Sequence, residues 1–409
     1  MKSLRRHLPT LAEVKFQIGA IAAFGVGYLG SYIAAIVNPF LLADTPLEEP
    51  AVGALGSIEL LLLAFFSLVL APFAARVSYR GLAIGGVAAA AFGYAMSSQS
   101  FAFEAMAAAR VIMGIGAGMA IVAVNAAVAS SDDPDRRFAM IYTVGGILAA
   151  LFVWGIPLAL VPWGYRGGFA ICVLLCLIAL PFCAWLPRHA EEIPESTARA
   201  PQVMPSDGPP SALAVALVIG SIAIYSIGEQ ALWAFAGEIG MRNVGVPVGV
   251  VGNVLAGMTL AGTLGGFLAW KLGARFGRAL PILIASLASA LSRFGFMLAS
   301  DYTMMVAAAV LWGFSYYFIS PFQMGVAAAM DRRGRVAVAA GAMMNFGYAF
   351  GPGIGGAVLG FLGQQALLVV IVACVLIPLM MLLPVAAAQD QAARALLGEL
   401  APDEIDDPI

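Results

Sequence analysis

Charge is scarce in this chain of 409 residues: Asp, Glu, Lys and Arg make up only 11% of it, where a soluble domain carries about 25%. With 62% hydrophobic residues, the surface cannot be held in water, and lipid must be the solvent. Histidine is scarcer still. His7 and His189 both lie in polar segments, so no imidazole is left for metal binding or general-base work in the apolar part. Lys2, Lys15 and Lys271 are the only lysines, none deep in an apolar run, which excludes a retinal Schiff base. Cys172, Cys176, Cys183 and Cys374 show neither metal nor redox spacing and read as apolar filler. No glycine-rich loop follows a strand to cradle phosphate, and no polar stretch is long enough for a catalytic or ATP-binding domain. An enzyme and an ATP-driven pump are excluded, and a receptor or sensor is disfavoured. Neither cofactor, metal nor nucleic acid is expected.

Long apolar runs are what the chain has instead. A membrane-spanning helix needs about 20 apolar residues, and such runs occur near 16–41, 50–74, 81–98, 101–129, 139–162, 166–186, 211–239, 248–272, 279–299, 302–328, 336–362 and 364–386. None alternates as a barrel strand would. The expected class is an all-α membrane protein of twelve transmembrane helices. With the N-terminus in the cytoplasm, every one of the 21 Lys and Arg residues except Arg110, Arg166, Arg242 and Arg293 falls on the inner side, which is the positive-inside pattern. Both termini are then cytoplasmic, as in a cell's inner (plasma) membrane. The basic start MKSLRRHLPTLAEVKF flanks a first helix with no clear cleavage site after it.

Residues 188–210, RHAEEIPESTARAPQVMPSDGPP, are polar and proline-rich and read as a cytoplasmic linker. On either side stand six-helix bundles, 1–187 and 211–387, with an acidic cytoplasmic tail over 388–409. The bundles repeat one another. A shift of 199 residues lays AARVS (74–78) on GARFG (273–277), RVIMG (110–114) on AVLWG (309–313), and Asp132 and Arg136 on Asp331 and Arg335. Internal repeats of this size build many secondary transporters. Gly114 and Gly118, like Gly347 and Gly351, lie about one turn apart, and Pro352 follows the second pair. Small residues so spaced let helices approach closely, and the proline invites a kink.

On these residues the chain resembles the major facilitator superfamily over nearly its whole length. ARVSYR and ARFGR are similar to the superfamily's loop motif between helices two and three and its echo between eight and nine, with Ala75, Ala274 and Ser78 departing from it. The resemblance implies gating roles for Arg76, Arg80, Arg275 and Arg278. RVIMGIGAG matches the Arg-x-x-x-Gly-x-Gly pattern of the fourth helix, and WGYR resembles the segment joining helices five and six. GYAFGPGIGG is similar to the antiporters' helix-five motif but sits in helix eleven. Two pseudo-symmetric bundles are implied, with helices one, four, seven and ten lining a central cavity.

Four ionisable residues lie deep in the runs: Glu59, Arg110, Glu229 and Arg293. A charge there costs roughly 2.5–3.5 kcal/mol on insertion scales, so such residues avoid lipid and mark pathways. Glu59 and Arg110 lie at similar depth and are expected to pair, either as a static tie or as a switch for proton coupling; Glu104 is a rival partner. Glu229 is expected to serve substrate or proton, because Ser221, Tyr225, Glu229 and Trp233 recur every four residues on one helix face. Arg293, in a helix that the resemblance puts outside the cavity, is expected to be structural. Tyr28, Ser31, Tyr32 and Asn38, then Arg110 and Asn125, then Trp312, Tyr316, Ser320 and Gln323 supply cavity sets on the other lining helices. The shift of 199 carries Glu59 to Met258 and Arg110 to Ala309, so the scaffold repeats while its charge does not.

Secondary transport of a small organic solute follows. Protons suit two isolated acids better than sodium, which prefers clustered oxygens at an unwound helix. An aromatic-lined cavity suits proton-coupled efflux of amphipathic or aromatic compounds. Uptake of a small organic acid through Arg110 and uncoupled facilitation are the alternatives, and a monomer is expected.

Overall fold

The computed structural model describes residues 10–70, 73, 76–131, 134–189, 192, 211–273, 275–330 and 335–399. Most of the linker, Ala75, Ala274, Asp132, Asp331 and the last ten residues lie outside the described residues.

Helices dominate from the first described residue. Thr10 caps α1 (Leu11–Gly27), accepting from the Glu13 N–H at 3.2 Å while Glu13 returns a carboxylate to the Thr10 N–H at 2.7 Å, a closed capping box. There follow α2 (Leu29–Asp44), α3 (Glu49–Leu70), α4 (Tyr79–Gln99), α5 (Phe103–Ala129), α6 (Pro134–Gly155), α7 (Pro157–Cys183), α8 (Ala212–Trp233), α9 (Ala236–Val244), α10 (Val248–Leu272), α11 (Ala279–Met297), α12 (Tyr302–Ala328) and α13 (Arg335–Glu399). Among the described residues, ten stretches are long and apolar enough to cross a membrane, α1 and α2 together forming one of them. The chain reverses inside α7 at Gly164 (φ 59°) and inside α13 at Gly363 (φ 84°). Only glycine takes such angles without penalty. With α6 completed by the start of α7, and α13 divided at Gly363, the crossings number twelve. α13 continues to Glu399, beyond residue 387 where the tail was placed.

The repeat is visible in the packing. Gly164 and Gly363 are themselves 199 residues apart. A Cβ on Gly114 would collide with the Glu59 carbonyl oxygen, and one on Gly313 would collide with the carbonyl oxygen of Met258. The same helix crossing, at the same residues, is thus built twice. Gly347 and Gly351 press α13 onto the Ala223 and Ile227 carbonyls of α8, the close approach their spacing predicted.

The two halves are sealed at the end of the bundle distal to both termini. The Asn38 amide donates to the Ala234 carbonyl at 2.8 Å, and the Trp233 indole N–H to the Ser31 carbonyl at 2.7 Å. Gly353 N–H donates to Ser57 Oγ at 2.8 Å, and Arg242 reaches Glu49 at 3.4 Å. A Cβ on Gly53 would collide with the Pro352 carbonyl oxygen and lie 3.0 Å from Gly356 Cα, so α3 and α13 meet backbone to backbone. Between the halves, α3 packs on α13 and α6 on α10, while α5 and α12 make no extended contact with each other.

Candidate transport site

Among the described residues each half pairs a buried acid with a buried arginine deep in the bundle. In the N-terminal half, Arg110 of α5 donates to Glu59 of α3, as their depths predicted, and both side chains are 7% exposed. The Arg110 guanidinium lies over the Phe169 ring, 5.2 Å from its centroid, and its Nε is buried without a partner. The Glu59 carboxylate occupies the space where a Cβ on Gly30 would stand, so α2 can pass it only because residue 30 is glycine. Glu104 is exposed at the mouth of α5 and takes no part.

The second pair corrects the expectation that the charge does not repeat. Arg293 of α11, expected to be structural, donates to Glu229 of α8 and is fully buried. It also donates to Tyr225 Oη at 3.3 Å and the Ser289 carbonyl at 3.1 Å, with Ser289 Oγ closer still. The Trp312 indole N–H reaches both Glu229 oxygens at 3.1 Å. The charge pattern therefore does repeat, one acid and one arginine per half, but between different helices: α3 and α5 in one, α8 and α11 in the other. No positional shift could align them. The polar run Ser289, Ser292, Arg293 on one side of α11 was the signal available, since a guanidinium that deep must have an acceptor.

Ser221, Tyr225 and Glu229 on the polar face of α8 point into their own half, and of that face Trp233 alone reaches the seam. Ser221 donates to the Val218 carbonyl at 2.8 Å, and Tyr225 is 3% exposed, stacked on Tyr316 at 6.3 Å and 4°. Trp312 and Gln323 are buried as well. Asn38 is spent on the Ala234 carbonyl, which is freed where α8 breaks before α9. Tyr28, Ser31, Tyr32, Trp233, Tyr316 and Ser320 are half-buried, and Asn125 is exposed. Tyr28, Tyr32 and Phe24 follow one another along the first crossing, with ring centroids 5.0 and 6.2 Å apart. The Tyr316 hydroxyl bonds that of Tyr348 on α13, a residue the sequence reading missed.

Glu59 and Arg110 border a cavity of about 20 Å³, together with Ser31, Val37, Asn38, Gln230, Ala234 and Pro352. It lies on the seam beneath the distal seal and has room for about one water molecule. Glu229 does not border it.

Arg76 and Arg275 are exposed. Arg80 donates to the Leu186 carbonyl at 2.8 Å, while the Arg278 and Ala279 N–H groups donate to Asp390 at 2.9 Å. The first loop is therefore tied to the segment just after α7, and the second to the last helix of its own half. Burial pushes the Arg278 guanidinium below its usual range, and Asp390 pulls it back. Among the described residues no cluster of His, Cys, Asp and Glu could hold a metal.

Two helical bundles, each with a buried ion pair and the two sealed together at one end, define a polytopic membrane carrier. The chain belongs to the Major Facilitator Superfamily: the family model matches residues 20–227 and 218–399. It is thus a transporter of small solutes. The nucleoside transporter NupG superposes with a TM-score of 0.69 at 16% identity, covering 90% of this chain and 98% of its own. A bacterial homolog of the human lysosomal transporter Spinster, inward-facing and unoccupied, gives 0.66 at 17% identity, covering 97% and 100%. The human organic anion transporter MFSD10 (TETRAN) gives 0.59 at 19% identity, covering 91% and 98%. No curated protein matches the sequence.

Proposed function

We propose that this protein exports amphipathic or aromatic solutes in exchange for protons, and that Glu59, paired with Arg110, carries the proton. The observation that carries the reading is the contrast between the two pairs. Glu229 receives donors from Arg293 and Trp312 inside its own half, a cage suited to a fixed structural anchor. Glu59 receives Arg110 alone and borders the cavity on the seam, where movement of the halves would admit water. Protonating Glu59 while the site is sealed would leave Arg110 buried and unpaired, at a cost of about 3–5 kcal/mol. Proton uptake is thereby tied to opening.

The positive-inside distribution supports assigning the sealed distal end to the outside, and so reading this as a state closed to the outside. The four charges deep in the membrane cancel in pairs. Solute contact then falls to Tyr28, Tyr32, Tyr316 and Trp233, which favours neutral or amphipathic aromatic compounds. Uptake of a small organic acid is the second reading, and the unpartnered Arg110 Nε at the cavity favours it. The named substrates of the structural relatives, nucleosides and organic anions, do not decide between the two.

Everted vesicles with an acid interior and a pH-sensitive dye test both. For the exporter, amphipathic cations or neutral aromatics dissipate the proton gradient; Glu59→Gln abolishes this, while Glu229→Gln that still folds keeps it. Dissipation by organic acids alone, stopped by Arg110→Ala, establishes the second reading. Solute flux without proton movement identifies an uncoupled facilitator.

A further inference from the structure

The reversal at Gly164 shapes a groove at the distal face of the N-terminal half. It measures about 480 Å³ and is lined by Asp44, Pro46, Phe101, Trp163, Gly164, Tyr165 and Arg166. Asp44 Oδ2 accepts the Tyr165 N–H at 3.1 Å, and Tyr165 donates its hydroxyl to the Ser100 carbonyl at 3.1 Å. Those bonds hold the turn. They leave Asp44 Oδ1 free, and Arg166 spends Nε, at 3.4 Å from Tyr165 Oη, and lies over the Tyr165 ring at 5.9 Å from its centroid, which leaves its terminal N–H groups without a hydrogen-bond acceptor among the described residues. The two charges are exposed and form no ion pair with each other or with another described residue.

The other half makes the same turn without these charges. Shifted by 199, Asp44 becomes Asn243, Trp163 becomes Leu362, Gly164 becomes Gly363, Tyr165 becomes Gln364 and Arg166 becomes Gln365. There the Gln364 amide donates to Asn243 Oδ1 at 3.0 Å and to the Met297 carbonyl at 2.8 Å. A neutral amide set therefore suffices to close the turn. The carboxylate, the guanidinium and the indole of the first copy are additions that folding does not require.

Their placement identifies a ligand. Trp163 is 68% exposed and continues an apolar surface through Leu158 and Val161, while Phe101 is 59% exposed. Large aromatics at the end of a membrane span sit at headgroup level. A free guanidinium there takes a phosphate. A free carboxylate beside aromatic faces takes an ammonium group. One groove offers both, with no net charge.

We propose that this groove binds the zwitterionic headgroup of an amine-bearing phospholipid in the distal leaflet, the phosphate on Arg166 and the ammonium on Asp44 beside the aromatic wall. The site is independent of the transported solute and of the coupling scheme.

The test is native mass spectrometry of the delipidated full chain, titrated with dioleoyl phosphatidylethanolamine, phosphatidylcholine, phosphatidylglycerol or soluble O-phosphoethanolamine. One charge-assisted hydrogen bond is worth about a tenfold change in affinity. Phosphatidylethanolamine is expected to bind about that much more tightly than phosphatidylglycerol, with phosphatidylcholine, which has no N–H to donate, weaker. Asp44→Asn keeps an acceptor for the Tyr165 N–H and should erase the preference for the amine. Arg166→Gln should weaken all three lipids, and Arg166→Lys should restore most of the loss, which separates a lost ligand contact from misfolding. Equal binding of all lipids, or a preference that survives Asp44→Asn, overturns the proposal. So does soluble O-phosphoethanolamine binding as tightly as the lipid, since the ligand would then be a free phosphate ester.

Discussion

The sharpest mechanical prediction concerns Gly53. In the sealed state α3 and α13 touch through their backbones here: a Cβ would collide with the Pro352 carbonyl oxygen and lie 3.0 Å from Gly356 Cα, and one on neighbouring Gly56 would lie 3.1 Å from Pro352 Cβ. No side-chain rotation relieves a clash made by Cβ itself, so Gly53→Ala must push the helices apart. Overpacking of this kind costs about 1–3 kcal/mol. If the contact exists only when the distal end is closed, the whole cost falls on that state, and the closed-to-open ratio drops about 5- to 150-fold. Val37 reports this, because it borders the cavity beneath the seal and is 1% exposed. A Val37→Cys reporter with Cys374→Ala, labelled by an impermeant maleimide from the distal side, should react at least about fivefold faster when Gly53→Ala is added. Gly257→Ala is the control. A Cβ there meets nothing within 4 Å, so the rate should not move. An unchanged rate for a folded Gly53→Ala protein would refute the assignment of this contact to the closed state.

Trp312→Phe keeps the ring but removes the N–H that reaches both Glu229 oxygens; a thermal-shift assay should find about 1.5–3 kcal/mol of lost stability, with proton coupling retained. Asn38→Ala leaves the Ala234 carbonyl unpaired at the break in the seventh crossing, a loss of about 1–3 kcal/mol that hydrogen exchange should register as faster opening around residues 234–240. Asp390→Ala removes the acceptor that caps the start of α11. About 0.5–2 kcal/mol of local stability should go with it, seen as faster exchange at 278–282 and little change at Glu59.

The sequence alone was enough for whatever depends on solvent and depth. Composition required a lipid-solvated chain, run length set the crossings, and the 199-residue offset exposed the two halves. Glu59 and Arg110 could be paired because each lies at a similar depth in an apolar run, and an uncompensated charge there is too costly to keep. Tertiary structure decided everything that depends on rotation and on which helices become neighbours. Sequence spacing put Ser221, Tyr225 and Glu229 on one face of α8, but only the fold turned that face toward α11 and α12 and away from the seam. The Arg293 partnership was hidden for the same reason: the repeat maps position onto position, whereas this pair joins α8 to α11 and its counterpart joins α3 to α5. Asn38 and Trp312 looked free for a solute because nothing in a linear chain says which polar groups the protein will satisfy itself. What separates the surroundings of Glu59 from those of Glu229 is likewise tertiary, one donor at a seam against a full set in a core.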